Sequence, residues 1–120
     1  MKITKIEKNN KVCAIVNSSE KIITNVQSAL DLLMTVNYEA ETKNIAIGKE
    51  LITEDFFILS TCLAGEILQK FINYGARIAI YGDYSKYTSK ALKDFIYESN
   101  NGKDVFFVST ENEAIERLTR

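Results

Sequence analysis

Between Tyr81 and Lys90 the chain reads Tyr81-Gly82-Asp83-Tyr84-Ser85-Lys86-Tyr87-Thr88-Ser89-Lys90 and holds three of its six tyrosines. Hydroxyl and ammonium groups at this spacing bind phosphate or carbonyl oxygens, and a glycine lets the main chain come close to a ligand. A second polar stretch, Asn17-Ser18-Ser19-Glu20, offers similar groups. Together they give one candidate ligand-binding set: Ser18, Ser19, Gly82, Asp83, Tyr84, Ser85 and Lys86. Its expected ligand is a small anion or a nucleotide. The same residue types are ordinary turn and cap formers, so a pair of solvated loops is the competing reading. Tyr84 is expected at the surface. Tyr87, four residues before Ala91, is expected to pack inward. A further alternative is a metal-dependent enzyme, with Glu50, Glu54, Asp55 and Asp83 converging on magnesium. Helix capping also accounts for Glu54 and Asp55.

Composition removes several chemistries. The chain has no histidine, which excludes Ser-His-Asp and Cys-His nucleophiles and every histidine-ligated metal site. Ser60, Thr61 and Cys62 therefore have no histidine base beside them, and no catalytic residue is assigned. With two cysteines, Cys13 and Cys62, a four-thiolate zinc site within one chain is also excluded. Both sit in apolar stretches and read as buried free thiols, although spacing alone does not forbid a disulfide. No cofactor is implied. A net charge of −1 and the lack of a dense Lys/Arg block give no pull toward nucleic acid. No apolar run approaches the roughly 20 residues that a membrane span needs. The stretch Met1-Lys2-Ile3-Thr4-Lys5-Ile6-Glu7-Lys8 has no apolar leader core, so the reducing cytoplasm is the expected compartment.

The elements that must position these groups follow from periodicity. Ile3 and Ile6 mark an edge strand, Asn9-Asn10-Lys11 a turn, and Val12 to Val16 a strand buried on both faces, giving an N-terminal hairpin. Thr24 or Asn25 caps a helix on which Val26, Ala29, Leu30, Leu33 and Met34 recur. Asn44 to Gly48 is a strand. Thr53 is expected to cap the longest helix, with Phe56, Ser60, Leu63, Ala64, Ile67, Leu68 and Phe71 on its buried stripe and Gly75 closing it. Arg77 to Tyr81 is the next strand, and Ser89 to Glu98 the next helix. Val105 to Val108 is the last strand, and a capping box at Thr110 to Glu113 opens the last helix, with Ala114, Ile115 and Leu118 inward. The order β-β-α-β-α-β-α-β-α predicts one α/β domain over residues 1–120, with a mostly parallel five-stranded sheet and four helices.

Two segments go beyond pattern. Glu54-Asp55-Phe56-Phe57 leading to Leu63-Ala64-Gly65-Glu66-Ile67-Leu68-Gln69-Lys70-Phe71 resembles a bacterial family, domain-of-unknown-function family 4180. So does Tyr87-Thr88-Ser89-Lys90 with Asp94-Phe95-Ile96-Tyr97-Glu98-Ser99-Asn100. That resemblance implies no established activity. The element order is also similar to STAS domains of the anti-sigma-factor-antagonist type, which bind regulatory proteins and in some cases nucleotides. Their phosphoacceptor motif, Asp-Ser-Ser-Gly, has no counterpart in Asp55-Phe56-Phe57-Ile58-Leu59-Ser60-Thr61. A STAS-type strand order would also set the loops after Val16 and Tyr81 face to face across a crevice. The leading expectation is a non-catalytic STAS-like regulatory or protein-interaction module, with self-association through the edge strand and last helix as one form of it.

Overall fold

The computed structural model describes residues 1–120. Strand β1 (Lys2–Lys8) turns into β2 (Lys11–Asn17) through Asn9 and Asn10. Both asparagines adopt positive φ, 55° and 62°, which is the backbone a tight antiparallel hairpin requires and which asparagine tolerates. The remaining elements are α1 (Val26–Ala40), β3 (Asn44–Gly48), α2 (Leu63–Asn73), β4 (Arg77–Tyr81), α3 (Lys90–Asn100), β5 (Val105–Val108) and α4 (Glu111–Thr119). β1 pairs antiparallel with β2, and β2 to β5 are parallel neighbours in chain order. The expected α/β class, hairpin, strand count and helix count all hold.

Sequential parallel order has a direct consequence. Right-handed crossovers between adjacent parallel strands all leave from the same face of the sheet. One core accordingly joins Ala14, Val16, Ile45, Ile47, Ile78, Ile80 and Phe107 to the inner faces of α1, α2 and α3. The alternate strand residues, Cys13, Ile15, Ala46, Ala79, Phe106 and Val108, face the other way and are covered by Ala114 and Leu118 of α4. Strand side chains alternate with period two, so two covered faces make these strands apolar throughout.

Local capping follows the sequence closely. Asn25 Oδ1 accepts the Ser28 amide (2.8 Å), and Ser28 Oγ accepts the Asn25 amide (3.0 Å), a reciprocal capping box. Thr110 Oγ1 accepts the Glu113 amide at 3.2 Å. Gly75 takes φ +71° just past α2, where a side chain would be strained.

Three expectations are corrected. The segment from Thr53 to Cys62 is not the first part of a long helix. It forms two 3₁₀ turns, Glu54–Phe57 and Leu59–Thr61, and α2 starts only at Leu63. Neither turn has a side-chain cap, and Ile58 and Cys62 leave helical geometry at φ −106° and +64°, which breaks the run before α2. The longest helix is therefore α1, whose buried positions are Ala29, Leu32, Leu33, Val36 and Ala40, while Met34 lies exposed. Cys62 is exposed in the left-handed conformation (φ 64°), not buried; Cys13 is buried, and both thiols are free.

Ala79 is fully buried beneath α4. Ala79→Leu inserts three carbons there and is expected to cost about 1–3 kcal/mol by overpacking. Ala91→Leu, on the exposed side of α3, should change stability by under about 0.5 kcal/mol. Urea unfolding of the two variants checks this, and equal effects would contradict the placement of α4.

Candidate functional site

The loop after β4 is organised by its aromatic rings. Gly82 continues the sheet by donating its amide to Val108 O at 3.1 Å. A Cβ at Gly82 would meet Lys49 Cβ at 2.8 Å, so glycine lets the Lys49 stem lie against this turn. Asp83 Oδ1 accepts the Ser85 amide at 2.8 Å, closing a local turn. That hydrogen bond, joined by the charge of Lys49, holds the Asp83 carboxyl below its usual range. Tyr84 then folds back over the sheet. Its hydroxyl donates to Ile80 O at 2.6 Å, and its ring meets Phe107 edge-on with centroids 5.8 Å apart. Tyr84 is thus a packing residue, which corrects its expected surface position; apolar neighbours and a satisfied hydroxyl favour the inward rotamer. Burial, then Tyr87 and Glu50, raise the Tyr84 phenol strongly.

Tyr87 stacks on Phe57, with centroids 5.4 Å apart and planes 22° from parallel, so its expected inward packing holds. Its hydroxyl donates to Glu54 Oε2 at 3.0 Å. Lys86 Nζ donates to Glu54 Oε1 at 3.1 Å, and Lys49 Nζ stands 3.8 Å from the same oxygen. Lys49 and Lys86 also lie over the Tyr87 ring, 4.9 and 5.2 Å from its centroid. Together these contacts form a clasp between the 3₁₀ turn after β3 and the loop after β4. Glu54 is half exposed, so its ion pairs contribute only about 0–1 kcal/mol each. The aromatic stack contributes about 0.5–1.5 kcal/mol beyond its buried area and is the stronger half of the clasp.

The expected crevice does not form. β3 lies between β2 and β4, so the loops after β2 and β4 are two strand spacings apart, about 10 Å. Ser18 Oγ accepts the Glu20 amide at 3.0 Å within its own turn. The chain after it is zipped to the segment after β3: Ile22 and Ile23 donate to Leu51 O, and Thr53 donates to Ile23 O. Ser18 and Ser19 therefore stand apart from Gly82, Asp83, Tyr84, Ser85 and Lys86, which share one loop.

The carboxylates are likewise dispersed. Glu54 faces lysines and Asp83 its own turn, and no three Cys, Asp or Glu side chains gather to hold a metal ion. Cys62 Sγ donates a hydrogen bond to the Ser60 carbonyl at 3.9 Å and has no carboxylate or lysine partner among its hydrogen bonds. No helix is long and apolar enough to cross a membrane.

Sequence reasoning missed two open hollows beside the clasp. One, of about 460 Å³, lies between the 3₁₀ turns and α3 and is walled by Phe57, Ile58, Leu59, Tyr87 and Leu92. The other, of about 740 Å³, runs along α2 and is walled by Leu59, Cys62, Glu66, Gln69, Lys70 and Phe95. Leu59 lines both, so the two hollows adjoin at its side chain. The signal was the unbroken apolar run Phe56-Phe57-Ile58-Leu59, too long for one helix face, hidden by the reading of that segment as helix.

With this geometry in view, the chain belongs to the family described as "Domain of unknown function (DUF4180)", whose model matches residues 8–118. No curated protein and no solved structure matches it.

The clasp has a pH signature. Burial pushes the Glu54 carboxyl up, but hydrogen bonds from Lys86 and Tyr87 and the charges of Lys49 and Lys86 outweigh it and leave it lowered. A depressed carboxylate stabilises the fold fully above its unfolded value of 4.5, and that contribution disappears as pH falls through the folded value. Glu54→Gln should lower stability above about pH 5, by about 1 kcal/mol at pH 9, and converge with the native chain toward pH 2, so its acid-side slope is shallower. Urea unfolding from pH 2 to 9 measures it, and parallel slopes for the two chains would contradict the assignment.

Proposed function

We propose that this chain is a non-catalytic protein-interaction module that receives an amphipathic helix of a partner protein in the groove centred on Leu59. The observation that carries the reading is the pair of hollows adjoining at Leu59, with Phe57, Ile58, Tyr87, Leu92 and Phe95 in their apolar lining and Lys86, Glu66 and Lys70 in their polar lining. Ile58 is 49% exposed on its wall. An apolar centre with a polar rim is the anatomy of protein interfaces, and a groove between helical elements suits a helix presenting residues at i, i+3, i+4 and i+7. The reactive side chains nearby support a binding role by their engagement: Tyr84, Tyr87, Glu54 and Lys86 satisfy one another or the main chain. A regulatory role rests on the STAS-type likeness in element order alone, without the facing loops or the phosphoacceptor motif of those domains.

Ile58→Glu tests the reading because it places a charge on the groove wall at an already exposed position. The immobilised native chain is expected to retain a stoichiometric partner from lysate of its source cells. The variant should bind that partner at least about tenfold more weakly, equivalent to ~1.4 kcal/mol, with an unchanged unfolding midpoint. Capture of the same proteins in the same amounts by both chains would sink the proposal.

A further inference from the structure

At the opposite edge of the sheet, where the parallel strands begin, five cations from distant parts of the chain line one open hollow of about 460 Å³. Lys11 opens β2, Arg77 opens β4, Lys103 precedes β5, and Arg117 and Arg120 lie in and after α4. Asp104 is the one carboxylate on its wall. Arg120 has Glu116 Oε1 at 3.8 Å, and Lys11 bonds the main-chain oxygen of Arg120; Arg77, Lys103 and Arg117 pair with no carboxylate. In a chain of net charge −1 this concentration of one sign is conspicuous, and its self-repulsion opposes folding.

The two inner guanidiniums are held in place before any ligand arrives. Arg77 donates to Lys103 O (2.8 Å), Leu118 O (3.1 Å) and Arg117 O (3.4 Å). Arg117 donates to Asn100 O at 2.6 Å. Both lie against the buried Phe106 ring, 5.5 and 4.3 Å from its centroid. Each guanidinium carries five N–H groups, so both retain donors without an acceptor. Lys103 Nζ makes no hydrogen bond to the fold, and Lys11 Nζ bonds the Arg120 carbonyl. Fixed arginine forks match the paired oxygens of phosphate and lose little freedom on binding.

We propose that this hollow binds a phosphate oxyanion: free phosphate or the phosphate group of a small molecule. Five cations facing one carboxylate call for a ligand with more than one negative charge, which a single carboxylate does not supply. The volume suits a small ligand, within the usual range of roughly 300–1,000 Å³. The site is separate from the groove around Leu59 and stands independently of the protein-binding reading.

Isothermal titration of the full chain with inorganic phosphate, pyrophosphate and glycerol 3-phosphate, each against sodium chloride of matched ionic strength, tests this. Saturable binding is expected, weakened at least tenfold in Lys103→Ala and in Arg120→Ala. Neither side chain donates a hydrogen bond to the fold, so both variants should retain the native unfolding midpoint. Equal affinity for inorganic phosphate and the monoester assigns the site to free phosphate; tighter binding of the monoester assigns it to a phosphorylated small molecule. No saturable binding beyond the chloride control, or identical affinity in both variants, would overturn the proposal.

Discussion

A sheet whose parallel strands lie in chain order sends every crossover helix to one side, and the other side must be closed by whatever follows the last strand. Here that task falls on α4, nine residues long, which has to cover alternate residues of four strands. Ala46 and Ala79 sit at the centre of the uncovered face, and their small side chains let the helix lie close to the sheet. Phe106, Val108 and Ile15 rise around them and complete the packing. The first core, with three helices over it, is larger and includes the longest buried side chains. The second depends on a single element, and the position of that element governs much of the charged surface.

α4 ends at the edge of the sheet where the parallel strands begin, and its last carbonyls need donors there. Arg77, the first residue of β4, supplies them through its guanidinium to Arg117 O and Leu118 O. One side chain thus couples a central strand to the helix that closes the second face. Arg117 returns the link in the other direction, from α4 to the end of α3. The same two guanidiniums form the inner wall of the basic hollow, so removing either disturbs packing over Phe106 along with charge. Lys103 and Arg120 differ in that they contribute charge without holding the fold together.

Much of this architecture was legible because strands buried on both faces have no polar alternation and helices announce their starts. Val12 to Val16, Ile78 to Ile80 and Val105 to Val108 were read from apolar runs alone, and Asn25, Thr110 and Gly75 from the chemistry of helix ends. The stretch from Thr53 to Cys62 was misread because an acidic pair followed by spaced apolar residues satisfies a helical template equally well. What distinguishes the two is the break at Ile58 and Cys62, together with the packing of Phe57 against Tyr84 and Tyr87, and both depend on tertiary contacts. The basic hollow was illegible for another reason: its members are spread from Lys11 to Arg120, and topology alone gathers them. A weaker signal existed, since Lys11, Arg77 and Lys103 each stand just before an apolar strand, and parallel strands bring such positions to one edge.

Helix dipoles explain part of this charge segregation. Glu111 and Glu113 occupy the first turn of α4 at the far edge, while Arg77 and Arg117 meet the ends of α4 and α3. Each helix end carries roughly half a negative charge, so two ends offset about one cation. Five cations and one carboxylate line the hollow, which leaves an excess that capping does not account for. The loop after β4 has the reverse character. Burial and the carboxylates of Glu111 and Glu50 push Tyr81 up to about 12, and Asp83 stands one turn away. An anion approaching Gly82 to Lys86 would meet these carboxylates and a lysine already paired with Glu54. An anion approaching the other edge meets preset donors and unpaired charge. Tyr84, Lys86 and Tyr87, which draw the eye in the sequence, lock a loop, and the anion site we propose is built from cations that the sequence keeps apart.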